Sequence, residues 1–251
     1  MQQNQYLVQK KYCNIIYLFY NTSRLILQEE EMNDILEQLN KVRRGVMFVI
    51  EAPSGTGKTT VIKKLLAEDK NLKFSVSVTT RERREGEVDG VDYKYVTDAE
   101  YDKLLAEDAF YETVDSQYGH RYGTLRSEVD SFLNVGQDVI FDMDWLGMRQ
   151  VKEKAPKDVV SIYMLPPSIK VLRERLEGRH TDSLETINKR MNLVLEKMEH
   201  WTEYDYVVIC LNPEQACETI QKIFFAERLK RVRQTGLIDF TQSLVDEVKN
   251  S

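Results

Sequence analysis

The chain has 251 residues, 42% of them hydrophobic and 30% charged, enough for one α/β core with appended subdomains. Its net charge of −6 argues against a general nucleic-acid binder, which needs a surplus of clustered Lys and Arg. No apolar run approaches the ~20 residues of a membrane span, and Cys13, Cys210 and Cys217 lack paired C-x-x-C spacing. We therefore expect a globular cytoplasmic protein whose partners include neither membrane nor nucleic acid.

An N-terminal extension, residues 1–44, differs in composition from the rest. Residues 1–24 contain no Asp or Glu and one short apolar run, NIIYLFY. Three interpretations stay open. The first is a transit peptide, although the low content of Arg and Ser weighs against it. The second is a helical or disordered tail on the core. The third is that translation truly starts at Met32.

From Val46 onward, short runs rich in β-branched residues predict buried strands: VMFVI, FSVSVT, DVIFDMD, VVSIYML and YDYVVICL. Helix-length segments lie between several of them, namely TTVIKKLLAED, SLETINKRMNLVLEKMEHW and PEQACETIQKIFFAERLKRVR. Strands that alternate with helices predict an α/β fold, with a parallel sheet covered by helices on both faces.

Two regions break this alternation. Residues 84–130, with GEVDGVDYKYV and two Tyr-rich runs, predict turns and short strands, hence a small mixed subdomain. Residues 173–190, RERLEGRHTDSLETINKR, hold four arginines, which favours an anionic partner, although the interspersed Glu and Asp weaken that argument.

The stretch APSGTGKT, residues 52–59, follows a predicted strand and precedes a predicted helix, which is the context of a phosphate-binding P-loop. Backbone N–H groups around Gly55 and Gly57 can encircle a phosphate at a helix N-terminus. The alternative is a Gly-rich turn with an exposed lysine. We expect an ATP site formed by the P-loop residues Ala52, Pro53, Ser54, Gly55, Thr56, Gly57, Lys58 and Thr59.

Within this P-loop, Lys58 is predicted to reach the β and γ phosphates and the Thr59 hydroxyl to ligate Mg²⁺. Ala52 stands where the first glycine is usual, a change that leaves the phosphate-binding backbone groups in place. Asp142, at the end of DVIFDMD, is predicted to hold a Mg²⁺-bound water or to steady Lys58; the alternative is that it caps the following helix.

The acceptor region carries a long motif. T-T-R-x-x-R-x-x-E-x-x-G-x-x-Y-x-Y, from Thr79 to Tyr95, resembles the signature of guanylate kinases. The resemblance runs from about Val46 to about Arg233 and includes YETV, YGHRYGT, IFDMDWLG, YMLPPS, RLEGRHTD and HWTEYDYVV. It implies a guanylate kinase-like domain over residues 45–233, with a P-loop core at 45–83, 131–172 and 196–233, a GMP-binding subdomain at about 84–130 and a helical lid at about 173–195. Residues 234–251 resemble a terminal helix of some bacterial members.

The resemblance also implies a GMP site of nine residues: Ser77, Arg81, Arg84, Glu87, Tyr93, Glu112, Tyr122, Thr124 and Asp144. Arg81 and Arg84 take the phosphate positions, and planar guanidinium groups suit a dianionic phosphate. Tyr93 and Tyr122 are implied to donate hydroxyls to the same phosphate.

Guanine presents an O6 acceptor beside N1–H and N2–H₂ donors. The resemblance assigns hydroxyl donors, Ser77 and Thr124, to the first and carboxylate acceptors, Glu112 and Asp144, to the second. Adenine would leave both carboxylates unpaired, which implies strong selectivity for guanine.

Phosphoryl transfer depends mostly on alignment and on neutralising charge on the moving group. The resemblance assigns this to Lys58 and to three lid arginines, Arg175, Arg179 and Arg190. The last two come together only if the lid closes over the phosphates. VVICLNP departs from the family pattern, so the adenine contacts around Cys210, Leu211 and Asn212 are left open.

The expected activity is guanylate kinase: ATP and GMP, or dGMP, give ADP and GDP with Mg²⁺, in purine nucleotide metabolism. Two alternatives are an inactive interaction module with the same fold and a kinase for another nucleoside monophosphate. The retained Lys58, Thr59 and lid arginines disfavour the first, and the paired carboxylates disfavour the second. A homodimer stays open.

Overall fold

Two sheets and seven helices make up the described part of the chain. The computed structural model describes residues 43–116, 119–178, 191, 194 and 198–251. The strands are β1 Met47–Glu51, β2 Leu72–Phe74, β3 Val78–Thr79, β4 Lys94–Tyr95, β5 Phe110–Asp115, β6 Arg121–Leu125, β7 Asp138–Asp142, β8 Val159–Leu165 and β9 Tyr206–Ile209. The helices are α1 Lys58–Glu68, α2 Asp98–Ala106, α3 Arg126–Leu133, α4 Trp145–Lys154, α5 Ile169–Glu177, α6 Pro213–Arg228 and α7 Leu237–Asn250.

The first sheet is fully parallel, with strand order β2-β7-β1-β8-β9. Alternate side chains of β1 point to opposite faces. Phe48 and Ile50 join a buried apolar cluster with α1 and α6, while Met47 and Val49 join another with α3 and α4. Helices thus cover both faces, which confirms the predicted α/β fold.

The second sheet is mixed and has the strand order β4-β3-β6-β5. β3 and β4 are parallel, and β6 runs antiparallel to β3 and β5. Helix α2 covers this sheet by stacking Tyr101 on Phe110, with ring centroids 4.8 Å apart. The sheet starts at Val78, so the small mixed subdomain includes residues before the predicted boundary at 84.

The prediction of one strand over FSVSVT is wrong. Phe74 ends β2 in the first sheet, whereas Val78 begins β3 in the second. The Ser75 N–H still donates to Ile140 of the first sheet, but the Ser77 carbonyl accepts from Lys94 of the second. The run has a continuous β pattern, yet its hydrogen-bond partners come from two different parts of the chain.

Some predicted elements are shorter in the structure, and others lie outside the described residues. The strand YDYVVICL contracts to β9, and the helix predicted over 213–233 ends at Arg228 and is followed by a 3₁₀ turn, Arg231–Arg233. Predictions for residues 1–42, for Arg179 and for Arg190 fall outside the described residues. In the part that is described, no helix is long and apolar enough to cross a membrane.

Arg43 and Arg44, assigned by the sequence to the extension, contact the first sheet. Both Nη atoms of Arg43 donate to Asp138, at 2.6 and 2.9 Å, and this carboxylate is fully buried at the start of β7. Arg44 binds Asp158 just before β8. Two guanidinium groups therefore hold the chain at the amino end of the sheet before β1 begins.

Candidate functional site

The P-loop connects the carboxyl end of β1 to α1. Gly55 and Gly57 have φ angles of 93° and 110°, which favour glycine. A Cβ atom on Gly55 would also lie 2.9 Å from the Leu176 side chain of α5. In the described residues no side chain caps the N-terminus of α1. Its first N–H groups are therefore left for an anion, where the helix dipole also favours negative charge.

Lys58 and Asp142 form an ion pair beside this loop. The Lys58 Nζ contacts Asp142 Oδ1 directly, since β1 and β7 are neighbours and Asp142 pairs with Ile50 in register. Thr59 is exposed in the same first turn of α1. An ammonium group, a carboxylate and a hydroxyl thus lie at the point where the P-loop enters the helix.

The alternative that Asp142 caps the following helix is wrong, because Asp144 is the cap of α4. Its Oδ1 accepts from the N–H groups of Leu146 and Gly147, both at 3.1 Å. Asp142 is the last residue of β7 and lies two positions before this cap. One carboxylate oxygen of Asp144 is used for capping, and the residue still lines the cavity described next.

A cavity of about 320 Å³ opens where the two sheets meet. Seven residues predicted from the sequence line it: Ser77, Tyr93, Glu112, Tyr122, Thr124, Asp142 and Asp144. They come from β5, β6, β7, the segments before β3 and β4, and the N-cap of α4. The fold therefore brings the predicted base-binding residues, two of the predicted phosphate-binding residues and the partner of Lys58 to one concave surface.

Glu112 is the most buried carboxylate of this cavity, with 5% of its surface exposed. Thr124 Oγ1 donates to its Oε1 at 2.8 Å across the antiparallel pair β5 and β6. Burial raises the pKa of Glu112, and the hydrogen bond from Thr124 opposes that rise only in part. A ligand that offers N–H donors would supply the partners that water no longer provides.

Arg81 is held at the rim of the second sheet by Glu87. Its Nη2 donates to Glu87 Oε1 at 2.7 Å, and its guanidinium lies 5.3 Å from the centre of the Tyr93 ring. Glu87 Oε2 also accepts from the Tyr95 hydroxyl at 2.7 Å and the Arg84 N–H at 2.8 Å. The hydrogen bond from Arg81 is the main cause that lowers the pKa of Glu87 to about 2.

Three residues of the predicted GMP site, Arg81, Arg84 and Glu87, have different surroundings in the structure. Glu87 contacts Arg81 and orients its guanidinium group, while Arg81 shares a rim with Tyr93. Arg84 has an exposed side chain, and its backbone N–H binds Glu87. In this structure Glu87 therefore positions Arg81.

Ser75 lines the same cavity, and our sequence reasoning missed it. Its buried Oγ has no hydrogen-bond partner among the described residues. Ser75 lies two positions before Ser77, and in extended chain such residues share a face. That spacing is the signal that could have identified it.

Arg175, predicted as a catalytic lid residue, contacts backbone carbonyls. Its Nη1 donates to Thr56 O of the P-loop at 3.0 Å, and its Nη2 donates to Leu211 O at 2.7 Å. Both nitrogens lie 3.3 Å from Cys210 O. Arg175 therefore links α5, the P-loop and the segment that follows β9.

The matches to known proteins cover most of the chain. The family model described as guanylate kinase matches residues 43–227. The chain is 47% identical over 203 residues to a guanylate kinase of Novosphingobium aromaticivorans, which covers 81% of this chain and 91% of that enzyme. It is 46% identical to a guanylate kinase of Zymomonas mobilis subsp. mobilis, covering 81% of this chain and 94% of that enzyme. The crystal structure of guanylate kinase from Anaplasma phagocytophilum matches with a TM-score of 0.62 and 32% identity, covering 80% of this chain and 95% of that one.

Proposed function

The chain belongs to the guanylate kinase family, and we propose that it transfers the γ-phosphoryl group of ATP to GMP, giving ADP and GDP. The matches to the family model and to the two guanylate kinases confirm the family and the function predicted from the motifs. One observation carries the assignment of the site: seven predicted residues line a single cavity beside the Lys58–Asp142 ion pair. The P-loop and the acceptor cavity are thus neighbours, as direct transfer between two nucleotides requires.

We propose that the cavity binds the guanine base. Glu112 and Asp144 would accept from N1–H and N2–H₂, while the Ser77 hydroxyl would donate to O6. The Thr124 hydroxyl, which donates to Glu112, would hold that carboxylate in place beside the base. Support comes from the presence of all four on one surface and from the burial of Glu112. Ser75 adds to the same wall a buried hydroxyl that has no partner among the described residues.

The GMP phosphate would lie towards the rim, where Arg81, Tyr93 and Tyr122 are close together. The rings of Tyr93 and Tyr122 meet edge to face, with centroids 5.8 Å apart. Glu87 holds the Arg81 guanidinium before the nucleotide arrives, so less freedom is lost on binding.

Magnesium is the metal that we propose for the reaction. The exposed Thr59 hydroxyl and the Asp142 carboxylate are hard oxygen donors on the same side of the P-loop. Mg²⁺ commonly uses one or two protein oxygens and completes its coordination with waters and phosphates. When bound, it would neutralise charge on the β and γ phosphates.

The chain's own contribution to transfer is positioning and positive charge. The amides of the P-loop and the first turn of α1 would bind the phosphates of ATP, and Lys58 would reach them from its place beside Asp142. Arg179 and Arg190 keep their predicted role in the lid. The domain boundaries, the cytoplasmic location, the absence of nucleic acid among the partners and the homodimer also stay predictions.

A coupled assay of ADP release with Mg-ATP tests the proposal directly. GMP, dGMP, AMP, UMP and TMP are offered in turn. Turnover restricted to GMP and dGMP is expected. Turnover with a pyrimidine nucleotide would contradict the guanine assignment, and GMP binding without any turnover would favour an inactive interaction module.

Arg81→Ala is expected to raise the KM for GMP by about a hundredfold, since a charge that binds a dianionic phosphate is lost and Glu87 loses its partner. Steady-state kinetics with GMP as the varied substrate give the value. Arg83→Ala is the matched control, because Arg83 is exposed in the same loop. Equal effects of the two substitutions would remove Arg81 from the phosphate site.

Arg175→Ala is expected to raise the KM for ATP by about tenfold, because the P-loop and the segment after β9 lose hydrogen bonds of ~1 kcal/mol each. The control is Arg173→Ala on the same helix, an exposed arginine 3.9 Å from Glu177. Kinetics with varied ATP distinguish a role of Arg175 in ATP binding from a role in phosphoryl transfer. A fall in kcat at unchanged KM would favour direct contact with the transferred phosphoryl group.

The pKa of Glu112 predicts how guanosine binding depends on pH. Binding uses the ionised carboxylate, so affinity falls as the pH drops through the pKa of Glu112. Burial places this pKa above the ordinary value of 4.5. In the free protein, the same shift reduces stability as the pH rises through that pKa, because the unfolded chain ionises at lower pH.

Titration calorimetry with guanosine, which carries no phosphate to titrate, measures this profile. The midpoint for the wild-type protein is expected above pH 4.5, and Glu112→Gln should show no such step. A midpoint at or below 4.5 would show that Glu112 does not control the acid limb.

A further inference from the structure

A second cavity, of about 780 Å³, lies at the end of the first sheet opposite the P-loop. It is lined by the first residues of β8 and β9 and by the chain that follows α6. The P-loop follows the carboxyl end of β1, and all five strands are parallel. The second cavity therefore lies at the amino ends of the strands, and the cavity beside the P-loop lies at their carboxyl ends.

Three cationic side chains line this second cavity: Lys157, Lys230 and Arg233. Lys157 is exposed and forms no ion pair within the described ranges. Lys230 has one contact, with Glu227 at 2.7 Å. The cavity thus contains an ammonium group that no carboxylate of the described residues neutralises.

The two carboxylates of the cavity have partners of their own. Glu227 accepts from Lys230 and, at 2.7 Å, from the Tyr206 hydroxyl. Asp205 accepts from Lys152 at 2.9 Å and from the backbone N–H of Ser161 at 2.8 Å. Burial opposes the ionisation of Asp205, but these hydrogen bonds outweigh it and lower its pKa. Neither carboxylate is therefore free to neutralise Lys157.

Arg233 is the residue of this cavity that most strongly indicates a bound ligand. Only 4% of its surface is exposed, and its one side-chain contact with the described residues is long, 3.4 Å from Nη2 to Glu227 Oε2. Its Nε and Nη1 have no partner within the described part of the chain. Buried donors without partners are costly, and a guanidinium group matches an oxyanion through two parallel hydrogen bonds. A side-chain rotation towards the cavity would satisfy these donors on an anion.

We propose that this cavity is a second anion site, which binds a small oxyanion with a phosphate or carboxylate group. Arg233 supplies paired donors, and Lys157 and Lys230 supply positive charge at the mouth. The apolar wall of Val159 and Val160 excludes water from one side, which strengthens these contacts. The site is separate from the nucleotide sites and does not depend on the proposed reaction.

Titration calorimetry with pyrophosphate tests the proposal. The protein is first saturated with ADP and GMP, which occupy the P-loop and the acceptor site. Failure of these nucleotides to bind would count against the proposed function and is seen before pyrophosphate is added. One pyrophosphate site per chain is expected in the complex with both nucleotides, and citrate in a parallel titration shows whether carboxylates bind as well.

Lys157→Glu changes an exposed residue, so the fold is retained, and affinity is expected to fall by roughly tenfold or more. Arg233→Lys keeps the buried charge but removes the paired donors, and a similar loss is expected. Lys222→Glu, an exposed residue on α6 outside the cavity, makes the same charge change and should leave affinity unchanged. Two results would overturn the site: no binding of either anion, or equal losses in Lys157→Glu and Lys222→Glu.

Discussion

Lys58→Ala is expected to lower kcat by about 10²- to 10³-fold, the usual loss when one charge-stabilising donor is removed from a transition state. Lys58 is the first residue of α1 and contacts Asp142 directly, so its ammonium group lies at the end of the P-loop without depending on the lid. Its removal takes away positive charge that would follow the moving phosphoryl group. It also leaves Asp142 without its partner in the place where phosphates must bind.

The matched control for this substitution is Lys63→Ala, on the exposed side of the same helix. Single-turnover measurement of ADP formation separates loss of chemistry from loss of binding, and thermal unfolding shows whether the fold survives. The expected pattern is a large loss for Lys58→Ala alone, with Tm close to that of the wild type. Activity within tenfold of the wild type would remove Lys58 from the mechanism.

Glu112→Gln is expected to reduce the preference for GMP over AMP by about a hundredfold, from a starting discrimination of ~10⁴ for a site built on hydrogen-bonding partners. The reason lies in the contact with Thr124, whose hydroxyl donates to one Glu112 oxygen at 2.8 Å. In the variant, the amide oxygen would accept from Thr124 and the amide NH₂ would meet the N–H donors of guanine. The partner that favours guanine would then oppose it.

The ratio of kcat/KM for GMP to that for AMP measures this change. Glu107→Gln, an exposed residue in the same subdomain, makes the same chemical change outside the cavity and should keep the wild-type ratio. A Glu112→Gln enzyme as selective as the wild type would transfer the guanine assignment to Asp144 and the hydroxyls.

Much of the local structure could be predicted from the sequence. The strand VMFVI, the P-loop and α1 follow from an apolar run, two glycines at positive φ and a helical pattern. The family resemblance, carried by the motif from Thr79 to Tyr95 and by later segments such as YETV and YGHRYGT, indicated residues that share one cavity, among them Tyr93, Glu112 and Tyr122. These signals are short-range, since a turn, a period or a motif is complete within a few consecutive residues.

Contacts between distant segments could not be predicted in this way. FSVSVT has one β pattern but divides between two sheets, which places Ser75 in the cavity wall. Asp142 and Asp144 are the same residue type and lie two residues apart, yet the first pairs with Lys58 and the second caps α4. The choice depends on which partner lies near each carboxylate, the Lys58 ammonium group at the end of β7 or the free N–H groups at the start of α4.

The sequence by itself determined the fold class and the family, and it predicted the chemistry of the acceptor site, because periodicity and motif spacing are properties of the local chain. Only the tertiary structure decided that Arg175 binds the carbonyls of Thr56 and Leu211, that Glu87 holds Arg81, and that Arg233 is buried with donors that no described residue pairs. Such contacts depend on the register of the strands and on how the helices pack against the sheet. Local sequence patterns do not encode the register of the strands or the packing of the helices.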